Sequence, residues 1–182
     1  FGMSVREPVG VIGCITPCNV PLLKKVKQIA MVIATGNTAV LMPSEFAPQV
    51  TVQFAKTLHE AGLPGGVFNY VTGDPAEIGD YLTSHDDIAA INFCGSPRVG
   101  QHVASIAAKS LKPITLELGG KNPLIILDAA DLDKALEAAM LGIFFFQGQA
   151  CMASSRIIVQ SKIAERFIPA FVDIATGVNV GD

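Results

Sequence analysis

Five short stretches of this sequence combine residue types that do chemistry with spacings that would present them. In G-Q-A-C-M-A-S-S (148–155), Cys151 stands among small and polar residues. A thiolate helped by a base or a dipole is a strong nucleophile, and small neighbours let a substrate approach it closely. A buried structural thiol is the other reading. In L-E-L-G-G-K (116–121), Glu117 lies between two leucines on an expected strand. Desolvation there would raise its pKa and make it a general base, whereas a T-L-E-L strand with one wet face would leave it in solvent. In T-P-C-N-V-P (16–21), Asn19 is placed to aim its amide at a developing oxyanion, or to cap the helix that Pro21 opens.

Two further stretches suit a nucleotide. F-C-G-S-P-R-V-G (93–100) reads as a strand end, a Gly–Ser turn and a helix start. The free N–H groups and positive end of such a helix attract phosphate. Its glycines, Gly95 and Gly100, do not make the G-x-G-x-x-G fingerprint, so an ordinary strand-to-helix turn is the alternative. In P-S-E-F-A-P (43–48), Glu45 follows a second strand, where a carboxylate either accepts bonds from ribose hydroxyls or is simply solvated.

The elements that must position these groups alternate along the chain. Apolar, β-branched runs predict strands at 9–16, 37–42, 66–73, 88–95, 113–120, 122–128 and 156–160. Helical spacing predicts a helix from Pro21 to the stop at Gly36, then helices at 49–62, near 75–83, and at 97–110, 131–146 and 162–175. This is an α/β fold: a Rossmann-like parallel sheet with helices on both faces and a ligand beyond the carboxyl ends of its strands. Two strands follow one another near 118–121 with only glycines between them, so a domain boundary is expected there, giving domains of 1–118 and 119–182. The second is the start of another α/β domain.

Composition excludes some classes. The net charge is −3 with no basic stripe, which argues against a nucleic-acid partner. The most apolar stretch, 29–42, is interrupted by Thr35, Gly36, Asn37 and Thr38, so no membrane span is expected. Cys14 and Cys18 have a zinc-like spacing without a second ligand pair, and His59, His85 and His102 are scattered; no metal site is expected. With no export signal evident, reduced thiols and a cytoplasmic location are the default expectation.

Taken in order, P-x-N-x-P-L, G-N-T-x-V-x-x-P-S-E, F-x-G-S-x-x-V-G, E-L-G-G-K-N-P and F-x-Q-G-Q-x-C-M-A-S-S-R closely resemble the aldehyde dehydrogenase superfamily across essentially all 182 residues. The resemblance implies an NAD(P)-dependent oxidation of an aldehyde to an acid. Cys151 would be the nucleophile, Asn19 and the cysteine N–H the oxyanion donors, and Glu117 the base that releases the acid from a thioester. It assigns cofactor binding to Ile15, Thr16, Pro17, Glu45, Gly95, Ser96 and Gly119, making 1–118 most of the cofactor domain. It assigns the substrate pocket to Val20, Lys24, Lys27, Phe145, Ala150 and Met152. Phe145 and Met152 would suit an aromatic or medium-chain aldehyde; Lys24 and Lys27 would suit an anionic semialdehyde.

The sequence also departs from the family pattern. Met42 replaces a frequent ribose-binding lysine, which leaves NADP open beside NAD. Cys18 replaces a frequent tryptophan, Phe146 an asparagine and Gln28 a lysine. Family members are more than twice as long and form homodimers or homotetramers, so this chain resembles their central part. A CoA-acylating relative and a non-catalytic nucleotide-binding or structural relative are the alternatives. The presence of Glu117 argues against the first, and the Asn19, Glu117 and Cys151 trio against the second.

Overall fold

A computed structural model of the chain describes residues 1–181. The chain divides into two compact units, the first ending at Leu118 and the second starting at Gly119.

The first unit runs β1 (Val11–Thr16), α1 (Pro21–Ala34), β2 (Thr38–Pro43), α2 (Pro48–Glu60), β3 (Phe68–Tyr70), α3 (Pro75–Ser84), β4 (Ile88–Gly95), α4 (Pro97–Lys109) and β5 (Ile114–Leu118). All four helices begin on a proline, whose fixed φ suits a first helical residue and whose missing N–H is one the helix cannot bond anyway. The strands pair in parallel in the order β3-β2-β1-β4-β5. Both faces are covered. On one, Ile29 and Val32 of α1 and Phe54 of α2 pack on Ile12, Cys14, Ala39 and Leu41. On the other, Leu82 of α3 and Val103 and Ala107 of α4 pack on Ile15, Met42, Ile91 and Phe93. Because β1 is central, its connection leads to β2 on one side while β4 flanks it on the other. That reversal leaves a crevice at the carboxyl ends of β1 and β4.

The strand expected over 66–73 is only Phe68–Tyr70. Gly66 turns the chain with φ +87° just before it, and beyond Tyr70 a single bond from Val71 N–H to the Leu41 carbonyl ends the pairing.

The second unit comprises β6 (Asn122–Ile126), α5 (Leu132–Phe144), a 3-10 turn (Phe145–Gly148), β7 (Ser154–Val159) and α6 (Ser161–Thr176). β6 and β7 pair in parallel. Asp131 caps α5 by accepting from the Lys134 N–H at 3.1 Å. The core joins Ile126, Leu136, Ala139, Ile163 and Phe167, and the Phe167 ring stacks on Phe171 with centroids 5.8 Å apart. The helix expected to reach residue 146 stops at Phe144, because Phe146 and Gln147 take left-handed backbone (φ 55° and 58°). Among the described residues no helix is long and apolar enough to cross a membrane.

Candidate cofactor cleft and nucleophile loop

The crevice of the first unit is a cleft of about 750 Å³, a size that suits a cofactor. β1 and the turn after it contribute Ile15, Thr16 and Pro17; the end of β2 contributes Met42, Ser44 and Glu45. β4 and the start of α4 add Gly95, Ser96, Arg98 and His102. Six of the seven residues expected at the cofactor therefore share one cleft; Gly119 belongs to the second unit. The hydroxyl of Thr16 is buried there with no hydrogen-bond partner. A buried, unpaired hydroxyl is costly, and one on a cleft wall is a donor and acceptor held ready for a ligand. Ser96 caps α4 through its side chain, so part of its role is structural. Glu45 is exposed at the cleft and its carboxylate accepts from the Ser44 hydroxyl at 3.2 Å. The His102 ring nitrogen Nε2 and the Asp80 carboxylate share a hydrogen bond of 2.7 Å on the cleft wall.

Two expectations about the catalytic candidates change. The cap position of α1 falls on Val20, one residue after Asn19, and Val20 has no side-chain bond to the helix. Val20 itself is left-handed (φ 40°, ψ 54°), a costly conformation for a β-branched residue, found mostly where a site demands it. Asn19 is half-buried in that turn. Glu117, expected to be buried, is exposed. It lies on β5, the edge strand, opposite Cys94. Leu116 and Leu118 are the β5 residues next to Gly100 of α4. Glu117 alternates to the other face, which no helix of this unit covers. Any catalytic role for Glu117 therefore does not rest on desolvation within this unit.

Cysteine burial separates the four thiols. Cys14 is fully buried in β1, and burial pushes its thiol up to about 12. Cys94 is buried, Cys18 exposed and Cys151 half-buried. Among the described residues no His, Cys, Asp or Glu cluster could hold a metal ion.

On α1, Lys24 is half-buried and Lys27 exposed, while Lys25, which sequence reasoning missed, is completely buried. Its ammonium donates to the Pro21 carbonyl at 3.2 Å, and burial lowers its pKa. The signal was there: Lys25, Gln28, Ile29 and Val32 repeat at helical spacing.

In the second unit, the loop carrying Cys151 follows three consecutive left-handed residues, Phe146, Gln147 and Gly148. It forms one wall of a pocket of about 370 Å³ lined by Ala138, Leu141, Gly142, Phe145, Ala150, Met152 and Ala153. Phe145, Ala150 and Met152, all expected in a substrate pocket, come together there. Val20 and Lys24 belong to the first unit. The Cys151 segment is tied down: the Asn122 amide donates to the Cys151 carbonyl at 2.8 Å and to the Ala153 carbonyl at 3.1 Å.

The model of the aldehyde dehydrogenase family matches residues 1–182. The chain belongs to the aldehyde dehydrogenase family. A salicylaldehyde dehydrogenase of Pseudomonas sp. (strain C18) is 46% identical over 185 residues, covering 100% of this chain and 38% of the relative. Betaine aldehyde dehydrogenase 1 of rice, Oryza sativa subsp. japonica, is 44% identical, covering 98% and 35%. Among solved structures, a salicylaldehyde dehydrogenase from Pseudomonas putida G7 complexed with salicylaldehyde has a TM-score of 0.94 at 45% identity, covering 98% of this chain and 37% of that one. A betaine aldehyde dehydrogenase from Staphylococcus aureus in complex with NAD+ has a TM-score of 0.91 at 40% identity, covering 97% and 35%. This aldehyde dehydrogenase chain thus spans little more than a third of the length of these relatives.

Proposed function

We propose that the protein carrying this chain oxidises an aldehyde to its carboxylic acid with a nicotinamide dinucleotide, NAD in preference to NADP, through a covalent adduct on Cys151. The observation that carries this reading is the first unit's cleft. It gathers Ile15, Thr16, Pro17, Glu45, Gly95 and Ser96 at the carboxyl ends of the strands and includes an unpaired buried hydroxyl. The start of α4 would hold the diphosphate and Glu45 a ribose. A carboxylate at the ribose repels a 2′-phosphate, which favours NAD. A solved relative in complex with NAD+ supports the same choice.

The Cys151 thiolate attacks the aldehyde carbon and forms a thiohemiacetal. The Cys151 N–H and the Asn19 amide stabilise the oxyanion. The bound dinucleotide supplies the hydride acceptor that turns this adduct into a thioester. Glu117 takes a proton from the water that attacks the thioester, and the acid leaves as the thiol is restored. The pocket beside Cys151 is lined by Phe145, Met152, Leu141 and alanines, with no charged side chain. That lining, together with the salicylaldehyde-bound relative, supports an aromatic aldehyde over an anionic semialdehyde.

The test is pre-steady-state mixing of the full-length protein with NAD and benzaldehyde, hexanal or succinate semialdehyde. A near-stoichiometric NADH burst, greatest with benzaldehyde and lost in Cys151→Ala, is the expected result. A preference for succinate semialdehyde would overturn the substrate assignment, and no NADH from NAD and no NADPH from NADP with any of the aldehydes would overturn the activity.

A further inference from the structure

The nucleophile loop has no regular secondary structure of its own, yet its backbone is held at two points by one side chain. Asn122 is half-buried and opens β6, directly after the Gly119-Gly120-Lys121 turn. Its amide nitrogen has two N–H groups, and both are used, on the carbonyls of Cys151 (2.8 Å) and Ala153 (3.1 Å). These carbonyls precede β7, where the β6–β7 ladder has not yet begun, and the register slips between Asn122 and Pro123. Pro123 has no N–H to offer, so the side chain of Asn122 takes the place of ladder bonds. The Asn122 backbone is itself held, its carbonyl accepting from the Ser155 hydroxyl at 3.4 Å, and Gly120 leaves room for the amide, since a Cβ there would lie 2.9 Å from the amide oxygen.

We infer that Asn122 is a positioning residue for the reaction, fixing the Cys151 peptide so that thiol and N–H face the aldehyde together; this rests on the reading of Cys151 as nucleophile. The bond to the Cys151 carbonyl restrains the peptide plane that follows this residue, which narrows the range of ψ from which the thiol can be presented. Phe146 and Gln147 hold left-handed backbone just upstream, so the loop enters this region in a conformation that relaxes if its far end is released. The bonds bracket Met152, whose side chain lines the apolar pocket, so the same anchor sets where the pocket wall stands relative to the nucleophile.

The test uses the full-length protein with Asn122→Asp, which keeps the shape but turns both donors into acceptors, and Asn122→Ser, which retains one shorter donor. The expected result for Asn122→Asp is a fall in kcat of about 10²-fold, the scale of a small misplacement of a reacting group. KM should change far less than kcat, within about threefold, since no side chain that lines the pocket is replaced. Asn122→Ser should recover part of kcat. Hydrogen exchange of the peptide spanning 148–153 should speed up in Asn122→Asp while peptides from α6 keep their rates. Wild-type kcat and exchange in Asn122→Asp would overturn the inference. So would a loss of protection throughout the second unit that serine does not repair. Should the wild type make no NADH, the proposed dehydrogenase activity fails, and the exchange comparison still decides whether Asn122 fixes the Cys151 loop.

Discussion

The hydroxyl of Ser96 accepts a hydrogen bond from the Val99 N–H at 3.3 Å, closing the first turn of α4 at the cleft. Pro97 has no N–H and the Gly100 N–H reaches the Ser96 carbonyl at 2.9 Å. The Arg98 N–H is therefore the first-turn donor left to meet a ligand, beside its own guanidinium. Ser96→Ala should cost about 1 kcal/mol of stability through the lost cap and weaken NAD binding as well. Ser96→Thr should keep most of the stability. Thermal unfolding with a parallel NAD titration checks both; an alanine variant with unchanged affinity would make Ser96 a helix cap and nothing more.

Phe167 is 1% exposed at the centre of the second unit and stacks on Phe171. Phe167→Ala should destabilise by about 3–5 kcal/mol, the range for an emptied aromatic site. Urea denaturation followed by hydrogen exchange in β6, β7 and α6 measures it. A loss below about 1 kcal/mol would mean that the site refills by collapse.

Cys14 gives the first unit an alkaline limit. Burial pushes its thiol from the ordinary 9.0 up to about 12 in the folded state. The folded state then holds a proton that the unfolded chain loses, so stability falls as pH rises from about 9 towards 12. Below that window the contribution is fully present. Cys14→Val, which keeps the site apolar, should flatten the decline in unfolding free energy over this range. Native alkylation at pH 8 should label Cys18 and Cys151 and spare Cys14; early labelling of Cys14 would contradict its burial.

Much of the fold is legible because local signals and packing agree. Pro21, Pro48, Pro75 and Pro97 each open a helix, and β-branched runs such as Val9–Thr16 supply the parallel strands between them. Glu45, Gly95 and Ser96 are legible because they lie just past strand ends, where topology makes them converge, whereas Ile15, Thr16 and Pro17 are legible only through the family resemblance. What the sequence hides depends on what lies across from a residue. Glu117 reads as buried from its two leucines, but a strand at the sheet edge has one helix-covered face, and Glu117 is on the other. Lys25 reads as solvated by its charge, yet the stripe it shares with Ile29 and Val32 is the one α1 turns towards the sheet. Leu22, Leu23 and Val26 of the same helix are exposed in this chain. The stop at Phe144 has no glycine or proline to announce it, because left-handed Phe146 and Gln147 end the helix instead. The anchor at Asn122 is equally silent, since its partners are backbone carbonyls about thirty residues away.

The division of labour between Cys151 and Glu117 is tested most directly by trapping. Full-length Glu117→Gln is mixed with NAD and benzaldehyde, quenched in acid, and the peptide containing Cys151 is weighed. A benzoyl thioester on Cys151 that accumulates as NADH forms, with little turnover afterwards, is the predicted result. Wild-type turnover with no accumulated adduct would contradict the assignment of Glu117 as the base that releases the acid. An adduct on any other cysteine would contradict Cys151 as the nucleophile.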